Sequence, residues 1–586
     1  MPEPKPSMNA RRSMSALRGI WSYMAGYRRL LAVVVGLVVL SSALSLLGPY
    51  LIGYAIDHEL AGGDRSGLVR MVILLAVVYA LGSVSAIAQN TLMIGIAQKT
   101  VASIRGALFR RLLELPIAFF ARRQQGDILS RLTNDIDSIS QTLNTSIIQL
   151  SSSLLTFAGM LGLMVWLSPV LTLLTLIIVP LVYVGMRWIT ARTGRLFKEQ
   201  QARVGELNGF MAETLSGQRI ITVYSREQQA IEQFRERNEQ YKQSAYWAQT
   251  YSGFISKFMI VLNNLSFAII AAAGGLLALH GQVTIGVIVT FTEYARQFAR
   301  PLNDLAIQFN TVLSAVAGAE RVFETIAEEA ETDGRDARGV PSMRGEIRFS
   351  RVSFSYSGEG SPVLADIDFR IAEGETVALV GQTGAGKSTI VQLLCRFYDA
   401  DEGAILIDGQ DIRSLRRNEL RRQLGFVLQE AFLFEGTIRD NIRYGSPDAS
   451  DEEVERAAAM ANAHGFIAKL PDGYDTQVSY DRTRISEGQK QLIAIARVML
   501  LNPAILILDE ATSSVDTVTE IHIQDALSKL MRGRTSIVIA HRLNTIRQAD
   551  QIIVLHQGRI AEKGPHAALL GKRGYYYDLH HAKQPG

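Results

Sequence analysis

The stretch Gly381-Gln382-Thr383-Gly384-Ala385-Gly386-Lys387-Ser388-Thr389 holds the residue types that triphosphate chemistry needs. Its glycines let successive backbone N–H groups converge on a phosphate with no Cβ in the way, and a helix N-terminus behind them adds positive partial charge. Lys387 reaches toward the outer phosphates, and the Ser388 hydroxyl is placed to ligate Mg²⁺. A glycine-rich turn can match such a pattern by accident. Here the apolar run 376–380 precedes it and 390–394 continues it, so the setting is strand, glycine loop, helix.

Further residues of the same chemistry follow downstream. Ile505-Leu506-Ile507-Leu508 reads as a strand buried on both faces, with Asp509 at its C-terminal end, the end at which parallel sheets bind ligands. Asp509 suits the Mg²⁺ shell, and Glu510 beside it could polarise the attacking water. A second buried strand, 535–540, ends at His541, which this position aims at the γ-phosphate. Gln429 closes the candidate strand 425–428; its amide could reach metal and water, or it is an ordinary surface glutamine. Tyr356, upstream of the loop, could stack on a purine or be a plain strand aromatic. Ile485-Ser486-Glu487-Gly488-Gln489-Lys490-Gln491 opens a helix over 492–501 and offers a second anion-binding N-terminus. Both helix starts do not fit around one phosphate within one domain. A dimer in which this segment closes over the partner's nucleotide is a simple answer.

The elements that must position these residues begin with a membrane. Of the 586 residues 48% are hydrophobic, and the mean hydropathy is +0.13, high for a soluble protein. The net charge of +4 makes no case for nucleic acid, and the single cysteine, Cys395, excludes an intrachain disulfide framework. Residues 30–56 carry no charge, and a span needs only ~20 apolar residues. Further spans are expected over 71–96, 147–167, 170–189 and 258–279, with a sixth from 285 that soon meets Glu293 and Arg296. Basic residues crowd the two long loops, among them Arg110, Arg111, Arg122, Arg123, Arg192, Arg195, Arg235 and Arg237, so both loops and the N-terminus face the cytosol. Those loops should be helical extensions of the spans, turning near Gly126 and Gly217. Residues 1–29 show no signal peptide; 15–27 suits a helix in the membrane surface or an amphipathic packing helix. The expected domains are 1–29, the six spans over 30–327, a charged linker over 328–344 and a nucleotide-binding domain over 345–586, with a loose tail from 580.

With these pieces in place, the chain resembles an ATP-binding cassette exporter of the six-span type, one half-transporter per polypeptide, over about residues 21–577. The resemblance implies a membrane all-α six-helix transmembrane domain followed by a cytosolic α/β P-loop domain, using ATP and Mg²⁺ at the cytoplasmic membrane. By that likeness Tyr356 matches the adenine-stacking aromatic, and Gln429 the metal- and water-contacting glutamine loop. Ser486 to Gln489 match the signature, Ser513-Ser514-Val515-Asp516 the loop after the catalytic carboxylate, and His541 the switch histidine. Coupling helices fall near 121–126 and 213–219. Two departures stand out. Glu487 replaces the signature's first glycine, and Ser479-Tyr480-Asp481-Arg482 replaces the usual Gly-Glu-Arg-Gly. A carboxylate at 487 would face a triphosphate, at a cost, unless it turns away. Intact Glu510 and His541 beside a degenerate signature look like the catalytic subunit of a heterodimeric bacterial multidrug exporter, with a second half-transporter as partner. The implied cargo is hydrophobic or amphipathic small molecules; a homodimer, a lipid or peptide exporter and an ATP-gated channel are the alternatives. Met160, Met164, Trp166, Tyr183, Met186, Trp188, Phe258, Met259, Phe267 and Phe291 could line an adaptable apolar cavity or pack and face lipid.

Overall fold

The computed structural model describes residues 10–334, 337–340, 343–356, 362–479, 485–509, 516–539 and 546–582. They divide into two compact units, one of Met1–Glu114 with Gln124–Glu328, the other of Leu115–Arg123 with Glu329–Gly586.

The first unit is helical throughout. Apolar runs, several of them extended by polar helix-forming sequence, give helices Arg28–Tyr54, Arg65–Glu114, Ile147–Leu167, Pro169–Ser216 and Glu227–Leu279, followed by Ile285–Gln297 and Ala299–Ala327. The expected apolar stretches lie or begin in these helices, the first of them, 30–56, continuing past Tyr54 into the wider helical turn Ala55–Leu60. Among the described residues, Met14–Leu60, Arg65–Glu114 and Gln125–Leu167 are long and apolar enough to cross a membrane, and Asn264–Leu279 is a shorter apolar helix. Apolar side chains such as Val35, Val84 and Ile87 lie exposed, as expected where lipid is the solvent.

Small residues and polar side chains set the helix contacts. A Cβ on Gly53 would strike the Gly286 carbonyl and the Thr290 hydroxyl, so these two helices meet backbone to backbone. Asp57 caps the second of them, accepting from Gly286 N at 2.7 Å and from the Thr284 hydroxyl. Tyr294 donates to the Leu46 carbonyl at 2.6 Å and Thr290 to that of Pro49 at 3.1 Å. Met160, Met164 and Phe291 are buried in one cluster with Leu171, Ile270, Tyr294 and Phe298, so they pack helices together. Trp166, Trp188 and Phe267 are exposed. The side chains of Tyr183, Met186 and Met259 lie outside the description.

At the other end of the chain's first unit, helix Ala10–Met24 buries Ala16 and Met24 and sets Gly19 and Tyr23 against Phe323, while Leu17 and Trp21 stay exposed. It packs on one face and offers apolar residues on the other.

One of the two expected turns needs correction. Gly126 lies inside helix Gln125–Ser130; the chain turns earlier, around Pro116, and again at Gln124, which is extended. Proline lacks the N–H that a continuing helix needs and disfavours helical backbone at Leu115. Gly217 does end Pro169–Ser216, before the short helix Gln218–Val223.

The second unit is α/β. Its strands are β1 (Ile347–Phe354), β2 (Leu364–Ile371), β3 (Thr376–Gly381), β4 (Glu402–Ile407), β5 (Gln410–Asp411), β6 (Leu424–Val427), β7 (Gly436–Thr437), β8 (Gln477–Val478), β9 (Ile505–Asp509), β10 (Thr535–Ile539), β11 (Gln551–His556) and β12 (Arg559–Gly564). A six-stranded sheet runs β12-β11-β3-β10-β9-β6, parallel except for β12; an antiparallel sheet runs β2-β1-β4-β5. Val377 to Val380, Ile505 to Leu508 and Ile537 to Ile539 are all buried, since helices cover one face of the parallel sheet and the antiparallel sheet, with the helix after β3, covers the other. The charged segment after residue 328 is fastened to this unit: Glu331 takes a bidentate pair from Arg421 at 2.7 and 2.8 Å, and Asp333 pairs with Arg417 at 3.3 Å. Cys395 is buried, and burial pushes its thiol up to about 12, which suits a structural role. His580 is likewise buried, in helix Tyr575–Ala582, so the chain is still ordered and packed at the residue where a loose tail was expected to begin.

Candidate functional site

The site is assembled by strand order. In the parallel sheet β3, β10, β9 and β6 lie side by side, so the loop after β3, Asp509 at the end of β9 and Gln429 two residues beyond β6 emerge along one edge. Glu510, Ser513, Ser514, Val515 and His541 lie outside the described residues, as do Tyr480, Asp481 and Arg482.

The loop residues Gly381, Gln382, Thr383, Gly384, Ala385 and Gly386 run directly into helix Lys387–Leu394, one turn earlier than its apolar residues suggest. Gly384 and Gly386 have φ of +83° and +101°, a left-handed backbone that glycine adopts without penalty. A Cβ at Gly386 would also strike the Leu364 side chain. Lys387 is buried, and its ammonium donates to the Gly381 and Gln382 carbonyls at 2.8 and 2.9 Å, inside the loop's curve. Ser388 is exposed and Thr389 buried.

Tyr356 is tied to the same helix. Its hydroxyl lies 3.0 Å from that of Thr389 and donates to Gln392 at 2.6 Å, and its ring meets Tyr398 edge-on at 5.1 Å. Its backbone carbonyl accepts from Arg122 at 3.0 Å, next to the short helix Ile117–Ala121 of the same unit. Neither Gln392 nor Arg122 was legible as part of the site. Gln392 could have been found from its spacing, one helical turn after Thr389 on the same face.

The second helix start is built differently. The helix runs Glu487–Leu501, five residues longer than the sequence suggests, with Ser486 as its N-cap. The Ser486 hydroxyl accepts from Gln489 N at 3.3 Å, and Ser486 N donates to the Gln489 side chain at 3.0 Å, a reciprocal capping box. Gly488 is buried. Glu487 turns along its own helix to Lys490, 3.1 Å away. Farther on, the buried Gln491 donates to the Leu428 carbonyl at 3.1 Å, joining this helix to the residue before Gln429. Asp516 caps helix Thr517–Met531 through Thr519 N at 3.1 Å, and these hydrogen bonds hold its carboxyl below the usual range.

Known sequences bear on this arrangement. The family description "ABC transporter transmembrane region" matches residues 31–302, and "ABC transporter" matches residues 364–513. An uncharacterized ABC transporter ATP-binding protein of Bacillus subtilis, YfiC, is 53% identical over 99% of this chain and 96% of its own length. The chain belongs to the ABC transporter family.

Among other relatives of the transporter are a fatty acid ABC transporter ATP-binding/permease protein of Mycobacterium bovis, 39% identical over 98% of both chains, and an ATP-dependent lipid A-core flippase of Syntrophus aciditrophicus, 36% identical over 94% of this chain and 91% of its own. The transporter carries a membrane-embedded region and an ATP-binding domain in one polypeptide, binds ATP, and couples its hydrolysis to transport. Half-transporters of this kind work as dimers.

Ser388, Gln429 and Asp509 together offer hydroxyl, amide and carboxylate oxygens. That donor set fits Mg²⁺, a hard cation that keeps few protein ligands and takes the rest from phosphate and water. Among the described residues no group of three His, Cys, Asp or Glu side chains is placed for a softer metal.

Proposed function

We propose that this transporter exports hydrophobic or amphipathic small molecules across the cytoplasmic membrane by alternating access, as the catalytic half of a heterodimer. The single observation behind the heterodimer is the contrast within one domain. The loop at 381–389 has every group the chemistry needs, while the signature helix opens on a carboxylate at 487.

In this reading the N–H groups of 381–389 and the Lys387 ammonium hold the phosphates, and the Tyr356 ring stacks on adenine. Ser388, Gln429 and Asp509 would hold Mg²⁺, which would supply neutralisation of phosphate charge. Glu510 orients and polarises the attacking water, and His541 contacts the γ-phosphate. Ser486, Gly488, Gln489 and Asp516 close over the partner's nucleotide. Closure of the two ATP-binding domains moves the cytosolic helical loops and through them the spans, since a ligand bound across an interface favours the closed state by its differential affinity. The bond from Arg122 to Tyr356 supports such a link.

A lipid exporter is a second reading, favoured by the relatives named for fatty acid and lipid A-core. The test is the purified chain in lipid nanodiscs, alone and with a candidate partner subunit. Substrate-stimulated hydrolysis is expected only with the partner; strong stimulation of the chain alone removes the case for a heterodimer. Glu510→Gln should lower turnover roughly 100-fold or more while ATP still binds. Uphill accumulation of cargo in vesicles separates an exporter from an ATP-gated channel, which only dissipates gradients.

A further inference from the structure

The first unit contains a cavity of about 810 Å³ among the helices Arg28–Tyr54, Arg65–Glu114, Glu227–Leu279 and Ile285–Gln297. That volume is in the range of ~300–1,000 Å³ that takes a drug-sized ligand. Most of its wall is apolar, with Leu44, Ile52, Val78, Phe267, Ile288 and Val289 among the lining residues. One patch is different. Glu293, Arg296 and Gln297 line the cavity together, and their spacing of three and four residues puts them on a single helix face.

Ionisable side chains at such a position are costly, and they are rare without a purpose. The local contacts do not consume this one. Gln297 donates to one Glu293 oxygen at 2.7 Å, and the other oxygen lies 3.7 Å from the Arg296 guanidinium, beyond hydrogen-bond range. Among the described residues the Arg296 guanidinium donates no hydrogen bond to protein. Its planar fork of donors matches a carboxylate or a phosphate through two parallel bonds. An apolar wall beside one cationic fork is the complement of an alkyl chain ending in an anion.

We infer that this cavity binds amphiphiles with an anionic headgroup, the headgroup on Arg296 and the chain along the wall formed by Val78, Phe267 and Ile288. The inference rests on the exporter reading for its purpose but not for its test. It predicts a preference for charge over neutrality at equal chain length.

The test is equilibrium binding to the full chain in phosphatidylcholine nanodiscs at pH 8, with dodecanoate, dodecyl phosphate, dodecanol and inorganic phosphate as probes. Dodecanoate and dodecyl phosphate are expected to bind about tenfold more tightly than dodecanol, with inorganic phosphate no competitor. Arg296→Gln should erase the difference and leave dodecanol binding as it was; Arg296→Lys, which keeps charge but loses the fork, should fall between. Glu293→Gln should keep or strengthen the anion preference, because it removes a competing carboxylate. Equal binding of all three amphiphiles, a preference that survives Arg296→Gln, competition by inorganic phosphate, or a Glu293→Gln variant as indifferent as Arg296→Gln would each overturn the inference. ATP hydrolysis recorded on the same nanodiscs keeps the two readings apart. Lost anion preference with hydrolysis intact overturns this inference alone, and absent hydrolysis with the preference intact counts only against the exporter.

Discussion

Helix Lys387–Leu394 begins at Gly386, a left-handed residue with no side chain to offer, whereas helix Glu487–Leu501 begins at Ser486, whose hydroxyl and backbone N–H are both engaged with Gln489. The first start carries a lysine and no acid in its opening turn; the second carries Glu487. Each N-terminus has the same positive partial charge, so helix geometry alone does not separate them. Their local partners do. The first has no side-chain cap. The second spends part of its donor capacity on itself, and Glu487 stabilises the helix for the same electrostatic reason that it opposes a phosphate. Lys490, at 3.1 Å, offsets part of that charge.

This contrast can be broken most severely at its strong end. Lys387→Ala should lower hydrolysis by roughly 100-fold or more, because a preorganised cation at the developing charge is lost; a steady-state ATPase assay reads it, and near-normal turnover would remove Lys387 from the site. At the weak end, Glu487→Gly should raise hydrolysis by the chain alone by roughly three- to tenfold, as a like charge is removed from beside the phosphates. Lys490→Gln should act in the opposite direction by a smaller factor, and a rise would show that Glu487 already faces away. Ser486→Ala should cost about 1 kcal/mol of domain stability by undoing the capping box, measured by urea denaturation of the nucleotide-binding unit within the full chain.

The smallest effect expected lies away from both helix starts, in the histidines near the C-terminus. Burial, followed by the neighbouring Arg547, pushes His566 below its ordinary value, and burial, followed by His566, His581 and Arg547, does the same for His580. His566 meets the Tyr576 hydroxyl at 2.7 Å, and both ring nitrogens of His580 are buried without a hydrogen-bond partner. A lowered folded-state value means that the unfolded chain takes up protons first. Stability is therefore full above about pH 6.5 and declines as pH falls toward the folded-state values. Thermal unfolding at pH 7.5 and 5.5 should show a lower midpoint in acid, and His580→Phe should reduce the difference.

Local pattern was enough to read the strands β3, β9 and β10, because continuous β-branched runs buried on both faces have few other homes. It was enough for the glycine loop too, whose composition is dictated by positive φ at Gly384 and Gly386. It misplaced the turn at Gly126, because Pro116 and the extended Gln124 act on the backbone more strongly than an unstrained glycine does. It left the role of Met160, Met164 and Phe291 open, since an apolar residue in a span looks alike whether it packs on a helix, faces lipid or lines a cavity. Gln491 was overlooked because its partner, the Leu428 carbonyl, is distant in sequence.

What the amino-acid order determined on its own is which segments are apolar and helical, where a glycine loop runs from a strand into a helix, and that the helix at 487 opens on an acid; each follows from composition or backbone freedom within a few residues. Tertiary structure decided where Glu487 points, what Tyr356 holds on to, and that Glu293, Arg296 and Gln297 share a cavity wall with Phe267. Those facts depend on which distant elements meet, and contact between distant elements is set by the packing of whole helices and sheets rather than by any short run of residues.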